Sequence, residues 1–177
     1  VWPIKESPVL LHWALLLGIV LETEKEEMNI FVLDKNPHVA AMYACDRHVV
    51  KMILESAQML CSVQPEGTAP YKRAFYNHPC TKWVRASSAN YDWLIEHARA
   101  LCAEYSRRYD KVHKSEEVID WCDANRPELP DVGLTPFAQA MPEDYKNEDA
   151  VEAYRTYYRN DKRRFATWKD VDPPTWF

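Results

Sequence analysis

Residues 45–61 carry the pattern that most restricts how this chain can fold. On an α-helix the apolar residues of this stretch form one broad stripe, made of Val49, Val50, Ile53, Leu54, Ala57, Leu60 and Cys61. His48, Lys51, Glu55 and Gln58 follow one another at spacings of three, four and three residues, so they align on another face. The stretch is therefore predicted to be an amphipathic helix whose apolar stripe packs on a core.

The composition favours helices in the rest of the chain. The 177 residues are 47% hydrophobic and 28% charged, which suits a single globular domain. Only 3 glycines occur against 12 prolines, and the prolines cluster between periodic segments, as they do between helices. We predict an all-α fold, namely a compact single-domain helical bundle with long Pro-rich connecting loops.

That domain is predicted to comprise residues 28–177. Its helices are predicted to begin at Asn36-Pro37, Pro79, Ser87-Ser88, Ser115 and Glu148, mostly at capping residues. The first is expected to continue through residues 45–61 and to end before Pro65, and the last is expected to reach Trp168. In the last helix, periodicity places Tyr154 and Tyr158 on the apolar side and Lys162 on the polar side. Residues 126–146 are predicted to be a loop that packs Phe137 and Met141 against the core.

Residues 1–27 differ from the remainder. Their apolar run, residues 9–21, is too short to predict a membrane span, and no small-residue cleavage site follows it. Met28 then opens a stretch that reads like a natural translation start. We predict that residues 1–27 are an upstream extension from a misassigned start; the alternative is an apolar helix that packs on the domain or on a membrane.

Charge and cysteine content restrict the function only weakly. The net charge of −5 neither indicates nor excludes nucleic-acid binding, since basic groups cluster locally at residues 72–73, 107–111 and 162–164. The 5 cysteines include no CxxC pair, which favours reduced thiols in an intracellular setting and no zinc site. No Gly-rich phosphate loop, HExxH or G-x-S-x-G motif occurs, and no cofactor is predicted.

Two short segments carry groups suited to catalysis or binding. Asp46, His48, Lys51 and Glu55 can together hold a proton, attack an electrophile and stabilise a cation, although a solvated helix face has a similar composition. The second segment contains His78, Lys82, Trp83 and Arg85. Taken alone, His78 is better explained as a loop histidine that bonds nearby backbone, and Trp83 as a core residue.

These motifs resemble a known family. Asp46-Arg47-His48 followed by Glu55 is similar to the Asp-x-His-x6-Glu pattern in the first helix of the phage pyrimidine-dimer DNA glycosylases of the endonuclease V type. Asn77-His78-Pro79 and Trp83, ahead of the helix with Asn90-Tyr91, resemble small phage and bacterial proteins associated with that superfamily. The resemblance covers residues 28–110.

The resemblance implies a compact, metal-free, all-α enzyme that excises a damaged base. In the family, the α-amino group of the chain attacks the sugar C1′, a glutamate stabilises the cationic intermediate, and β-elimination cleaves the strand. By position, Glu55 matches that glutamate, and His48 and Asp46 match the preceding polar residues. The chain departs from the pattern at the nucleophile, because Asn29 stands where a small residue would follow the initiator Met; Lys51 is a substitute candidate.

The sequence thus predicts a DNA repair glycosylase/lyase acting on duplex DNA in the cytoplasm of a bacterial or phage-infected cell. Its predicted catalytic residues are Glu55, His48 and Lys51, and its predicted DNA-binding residues are Arg47, His78, Lys82, Trp83, Arg85, Arg107 and Arg108. Two alternatives remain open. One is a non-catalytic nucleic-acid or protein-binding module, and the other is an enzyme that processes nucleotides or nucleobases with the same His/Lys/Glu face.

Overall fold

The computed structural model describes residues 28–177, so the predictions for residues 1–27 lie outside the described part of the chain. Its six α-helices are α1 (Pro37–Tyr43), α2 (Asp46–Val63), α3 (Pro79–Ala86), α4 (Ser88–Tyr109), α5 (Glu116–Ala124) and α6 (Ala150–Tyr157), and a π-helical turn (Tyr158–Lys162) continues α6. No β-strand occurs between residues 28 and 177. The predicted all-α fold is therefore confirmed.

The first predicted helix is divided in two by a short extended link. Asn36 caps α1 as predicted, since its side chain accepts hydrogen bonds from the amides of His38 and Val39. Ala44 and Cys45 then adopt extended backbone, with ψ of 132° and 161°. The amide of Asp46 donates to the Thr167 carbonyl at 2.8 Å instead of continuing α1, so a tertiary contact separates α1 from α2.

Helix α2 lies at the centre of the domain and packs on α3, α4 and α5. Val49, Ile53, Ala57 and Leu60 are buried as predicted, and α2 shares one hydrophobic cluster with the other helices. The predicted stripe was nevertheless too wide, because Val50 and Leu54 are 39% and 41% exposed. The segment 28–33 and the end of α6 cover part of the opposite, polar face, so His48 and Glu55 are buried although they lie on that face.

The side chain of Arg108, on α4, binds the link between α1 and α2. Its guanidinium is fully buried, pairs with Asp46 at 3.0 Å and Glu104 at 3.0 Å, and donates to the carbonyls of Ala44 and Met42. A buried guanidinium with its donors occupied contributes to structure and offers little to a phosphate. The position of Arg108 therefore does not support its predicted contact with DNA.

The C-terminal part of the chain is less helical than its periodicity predicts. Regular α-helix ends at Tyr157 instead of Trp168, and the π-helical turn widens the last turn before the backbone leaves the helix. Lys162, placed by periodicity on the polar face, is consequently buried. Residues 125–142 form a long connection as predicted, and Phe137 and Met141 pack against the core.

Among residues 28–177, no helix combines the length and the apolar character that crossing a membrane requires.

Replacing Arg108 is expected to destabilise the domain far more than replacing its neighbour. Arg108→Met should lower the free energy of unfolding by about 3–5 kcal/mol, because Asp46 and Glu104 lose a buried counter-charge. Arg107→Met is the matched control, since Arg107 pairs with the same Glu104 while 41% of its side chain is exposed, and it should cost about 0–1 kcal/mol. Urea unfolding followed by circular dichroism measures both; equal losses would contradict this account.

Candidate active site

The extended segment 28–33 forms one wall of the candidate site. It is buried throughout, and the side chain of Asn29 anchors it at three places. The amide group of Asn29 donates to the Ala140 carbonyl at 2.6 Å, and its Oδ1 accepts from the Tyr154 hydroxyl at 2.9 Å and from the Ile30 amide at 2.8 Å. These bonds fix the main-chain nitrogen of Asn29 in place.

That nitrogen points at Glu55. The Asn29 N–H donates to Glu55 Oε2 at 2.9 Å, and Lys51 Nζ lies 3.2 Å from Oε1 of the same carboxylate. Glu55 is only 6% exposed, whereas about a quarter of the Lys51 side chain is accessible. An adjacent cation and an N–H donor both stabilise an anionic carboxylate in this sheltered position. Lys51 and Glu55 thus align on one face of α2, as their spacing predicts.

His48 occupies the layer behind this carboxylate. Its ring stacks on Phe31 with centroids 4.2 Å apart, and Nδ1 forms a 2.5 Å hydrogen bond with the Tyr158 hydroxyl. Burial lowers the pKa of His48 to about 3, and the positive charges of Lys162, Lys51 and Arg47 act in the same direction. The imidazole is therefore neutral near pH 7 and holds Phe31, two residues from Asn29, in place.

A second cation is held close to His48 by aromatic rings. Lys162 is 8% exposed, and its Nζ lies 4.6 Å from the centroid of Tyr157 and 6.0 Å from that of Phe165. Within the described part of the chain it has no carboxylate at ion-pair distance. The Arg47 guanidinium lies over the ring of Phe165, 4.7 Å from its centroid. Cation–π contacts thus keep positive charge close to His48.

The start of α3 reaches the same site. Burial raises the pKa of the Cys80 thiol to about 12, and the nearby negative charge of Glu55 adds to the shift. The Thr81 hydroxyl lies 3.8 Å from the sulfur of Met28. His78 caps this helix, with Nδ1 accepting from the Cys80 amide at 3.2 Å. This contact agrees with the interpretation of His78 as a loop histidine that bonds nearby backbone. The start of α3 therefore lies near Glu55.

The other predicted DNA-binding residues are divided. Arg47 and Lys82 are exposed, and Arg85 is half-buried against the ring of Tyr76 at 4.0 Å. Trp83 is 5% exposed and packs on Trp93 and Phe137, so its position does not support a stacking role. Arg107 is exposed but pairs with Glu104 at 2.7 Å.

Tyr154, Tyr158 and Lys162 complete the site and were not predicted as functional residues. Periodicity placed the two tyrosines correctly in the core, but nothing in their spacing indicates that their hydroxyls hold Asn29 and His48. No group of three or more His, Cys, Asp and Glu side chains among residues 28–177 is arranged to hold a metal ion.

The all-α fold agrees with the class of proteins that the sequence motifs resemble, namely compact helical DNA glycosylases. The chain belongs to the pyrimidine dimer DNA glycosylase family, whose model matches residues 28–117, just over half of its length. The match includes Asn29, His48, Lys51 and Glu55, while α6 and its tyrosines lie beyond it. No curated protein and no solved structure matches the chain.

Two buried neutral histidines are expected to make the protein less stable in mild acid. Burial lowers the pKa of His97 to about 4, as it lowers that of His48 to about 3, whereas both imidazoles titrate near 6.5 in the unfolded chain. The unfolded chain therefore binds protons between about pH 6.5 and 4 that the folded protein does not bind, so stability is full above that range and falls as the pH drops. Each histidine contributes up to about 1.4 kcal/mol per pH unit.

Urea unfolding at about pH 7, 6 and 5 measures this slope. His48→Gln removes one of the two groups and should make the decline shallower, even though it also lowers stability at neutral pH through the lost stack on Phe31. An identical slope in the wild-type protein and in His48→Gln would contradict the neutral state assigned to His48.

Proposed function

We propose that this protein is a DNA repair glycosylase/AP lyase that acts on ultraviolet-type pyrimidine lesions in duplex DNA, with Glu55 as its essential carboxylate. The observation that carries the proposal is the sheltered Glu55 with one oxygen 2.9 Å from the Asn29 nitrogen and the other 3.2 Å from Lys51 Nζ. Membership of the pyrimidine dimer DNA glycosylase family supports the reaction class and the DNA substrate. A cytoplasmic location in a bacterial or phage-infected cell is part of the proposal.

The proposed chemistry uses an amine as nucleophile and Glu55 as counter-charge. A neutral amine attacks C1′ of the damaged nucleotide, and the base leaves with the electrons of the glycosidic bond. Ring opening gives an iminium ion between the sugar and the protein, whose positive charge the Glu55 carboxylate offsets. Loss of a C2′ proton then expels the 3′ phosphate by β-elimination and cleaves the strand.

Two nitrogens beside Glu55 are candidates for the nucleophile. The Asn29 nitrogen is an amide, and therefore unreactive, as long as Met28 is attached; a chain that begins at Asn29 would present an α-amine at this position. The three side-chain anchors of Asn29 do not involve Met28, so they would hold such an amine beside Glu55. An α-amine also has a lower ordinary pKa than a lysine side chain, which leaves more of it neutral near pH 7. We therefore propose the Asn29 amine first and Lys51 second.

Removing the charge of Glu55 is expected to abolish turnover while preserving the fold. Glu55→Gln keeps the shape of the side chain and loses the counter-charge, so incision of ultraviolet-irradiated plasmid and borohydride trapping on duplex DNA should each fall roughly a hundredfold or more. Glu96→Gln, at an exposed position on α4, should behave like the wild-type protein.

If the wild-type protein neither nicks DNA nor forms a trapped adduct, and its salt-dependent DNA binding survives Glu55→Gln, a non-catalytic binding module would be favoured instead. Stabilisation by nucleotides but not by duplex DNA would favour the nucleotide-processing alternative.

The nucleophile is identified by the site of the trapped adduct. We expect a protein beginning at Asn29, released from a cleavable fusion, to form a borohydride-stable adduct on its N-terminal peptide, and the same protein with Met28 retained to form at least tenfold less. Lys51→Arg should keep the N-terminal adduct, since it retains the cation beside Glu55. Peptide mapping that places the adduct at residue 51 in both forms would assign the nucleophile to Lys51 instead.

A further inference from the structure

Phe75 is the most exposed aromatic residue of its loop and has an unfavourable backbone conformation. Its side chain is 60% exposed, and its φ of 52° lies in the left-handed region that bulky residues rarely adopt. Core packing therefore does not account for a phenylalanine at this position. Strained backbone that holds a side chain in solvent is a common feature of binding sites.

The loop around Phe75 is rigidly held. The hydroxyl of Ser62 on α2 donates to the Ala74 carbonyl at 2.7 Å and accepts from the Ala74 amide at 3.0 Å. On the C-terminal side of the loop, the carbonyl of Phe75 accepts a hydrogen bond from the His78 amide at 2.9 Å, and this bond closes a turn. The Tyr76 ring lies between the guanidinium groups of Arg73 at 4.6 Å and Arg85 at 4.0 Å.

This loop runs along the same face of α2 as Glu55. Lys51, Glu55, Gln58 and Ser62 lie within one narrow stripe of α2. Ala74 is bonded to Ser62, which lies seven residues or ~10 Å from Glu55 along the helix, and the loop then returns to Cys80 beside Glu55. The loop that carries Phe75 is therefore attached to α2 ~10 Å from Glu55 along the helix, a distance of about three base steps in a duplex.

The charges around Phe75 suit a polyanion. Lys72 and Arg73 are exposed just before Phe75 in the chain, and Lys82 is exposed on α3, which follows the loop. Glu66 pairs with Arg73 at 3.5 Å and offsets part of this charge. An apolar ring surrounded by cations can enter a base stack while the cations hold the flanking phosphates.

We propose that Phe75 is a wedge that inserts between bases next to the lesion and helps to bring the damaged nucleotide to Glu55. This inference rests on the function proposed above. Extraction of a nucleotide from a duplex requires unstacking, which an inserted ring compensates by stacking on the exposed base. A single-stranded substrate does not require this step.

The test compares Phe75→Gly, Phe75→Leu and Val112→Ala, in the full chain and in the chain that begins at Asn29. Glycine adopts the left-handed backbone without strain, so Phe75→Gly should keep or raise the melting temperature. Its single-turnover incision of a duplex with one thymine dimer should fall at least fivefold, whereas borohydride trapping on a single-stranded abasic oligonucleotide should stay within twofold of the wild-type level.

Phe75→Leu keeps an apolar wedge and should recover most of the duplex activity. Val112→Ala, which trims another exposed apolar side chain, should change neither reaction.

A second readout follows the base stack directly. 2-Aminopurine next to the lesion should brighten when wild-type protein or Phe75→Leu binds, and should not brighten with Phe75→Gly. Equal duplex incision by the wild-type protein and Phe75→Gly would overturn the wedge alone. Equal losses by Phe75→Gly on duplex and single-stranded substrates would overturn it as well. Absence of incision and trapping by the wild-type protein in both forms would overturn the proposed function and the wedge together.

Discussion

The buried charge of Glu55 is the constraint on which the arrangement of the site depends. A carboxylate withdrawn from water is tolerated only when its oxygens are bonded, and the two partners described for Glu55 among residues 28–177 come from different parts of the chain. Lys51 belongs to the same helix, whereas the Asn29 nitrogen belongs to a segment without regular secondary structure. The position of that segment is therefore as important to the carboxylate as the helix that carries it.

The segment 28–33 is in turn held by α6 and by the loop before it. Tyr154 bonds Asn29, Arg155 donates to the Leu33 carbonyl at 2.9 Å, and Tyr158 bonds the histidine on which Phe31 stacks. Asn29 and Glu55, which would contact a substrate, are thus held in place by a layer of aromatic residues that would not contact it. This division explains why His48, although it belongs to the motif shared with the family, is better described as a positioning residue than as a proton carrier.

Local pattern predicted the helical elements and the alignment of His48, Lys51 and Glu55, because both follow from the period of a helix. It could not predict that part of the polar face of α2 would be buried as well. Glu55 is sheltered because the segment 28–33 covers it, and the sequence contains no local signal for that contact. Val50 and Leu54, which the pattern placed in the apolar stripe, are exposed. Arg108 and Trp83 show the same limit: their residue types suit DNA binding, yet pairing with Asp46, 62 residues away, and packing on Trp93 place them inside the protein.

The bond between Asn29 and Tyr154 joins residues that are 125 positions apart in the chain. During synthesis at about 5–20 residues per second, the ribosome needs roughly 6–25 s to make the intervening stretch. Asn29 and Glu55 can therefore be brought to their final separation only late in translation, when α6 has emerged. A nascent chain would therefore carry both groups for most of its synthesis before it has the support that orients them.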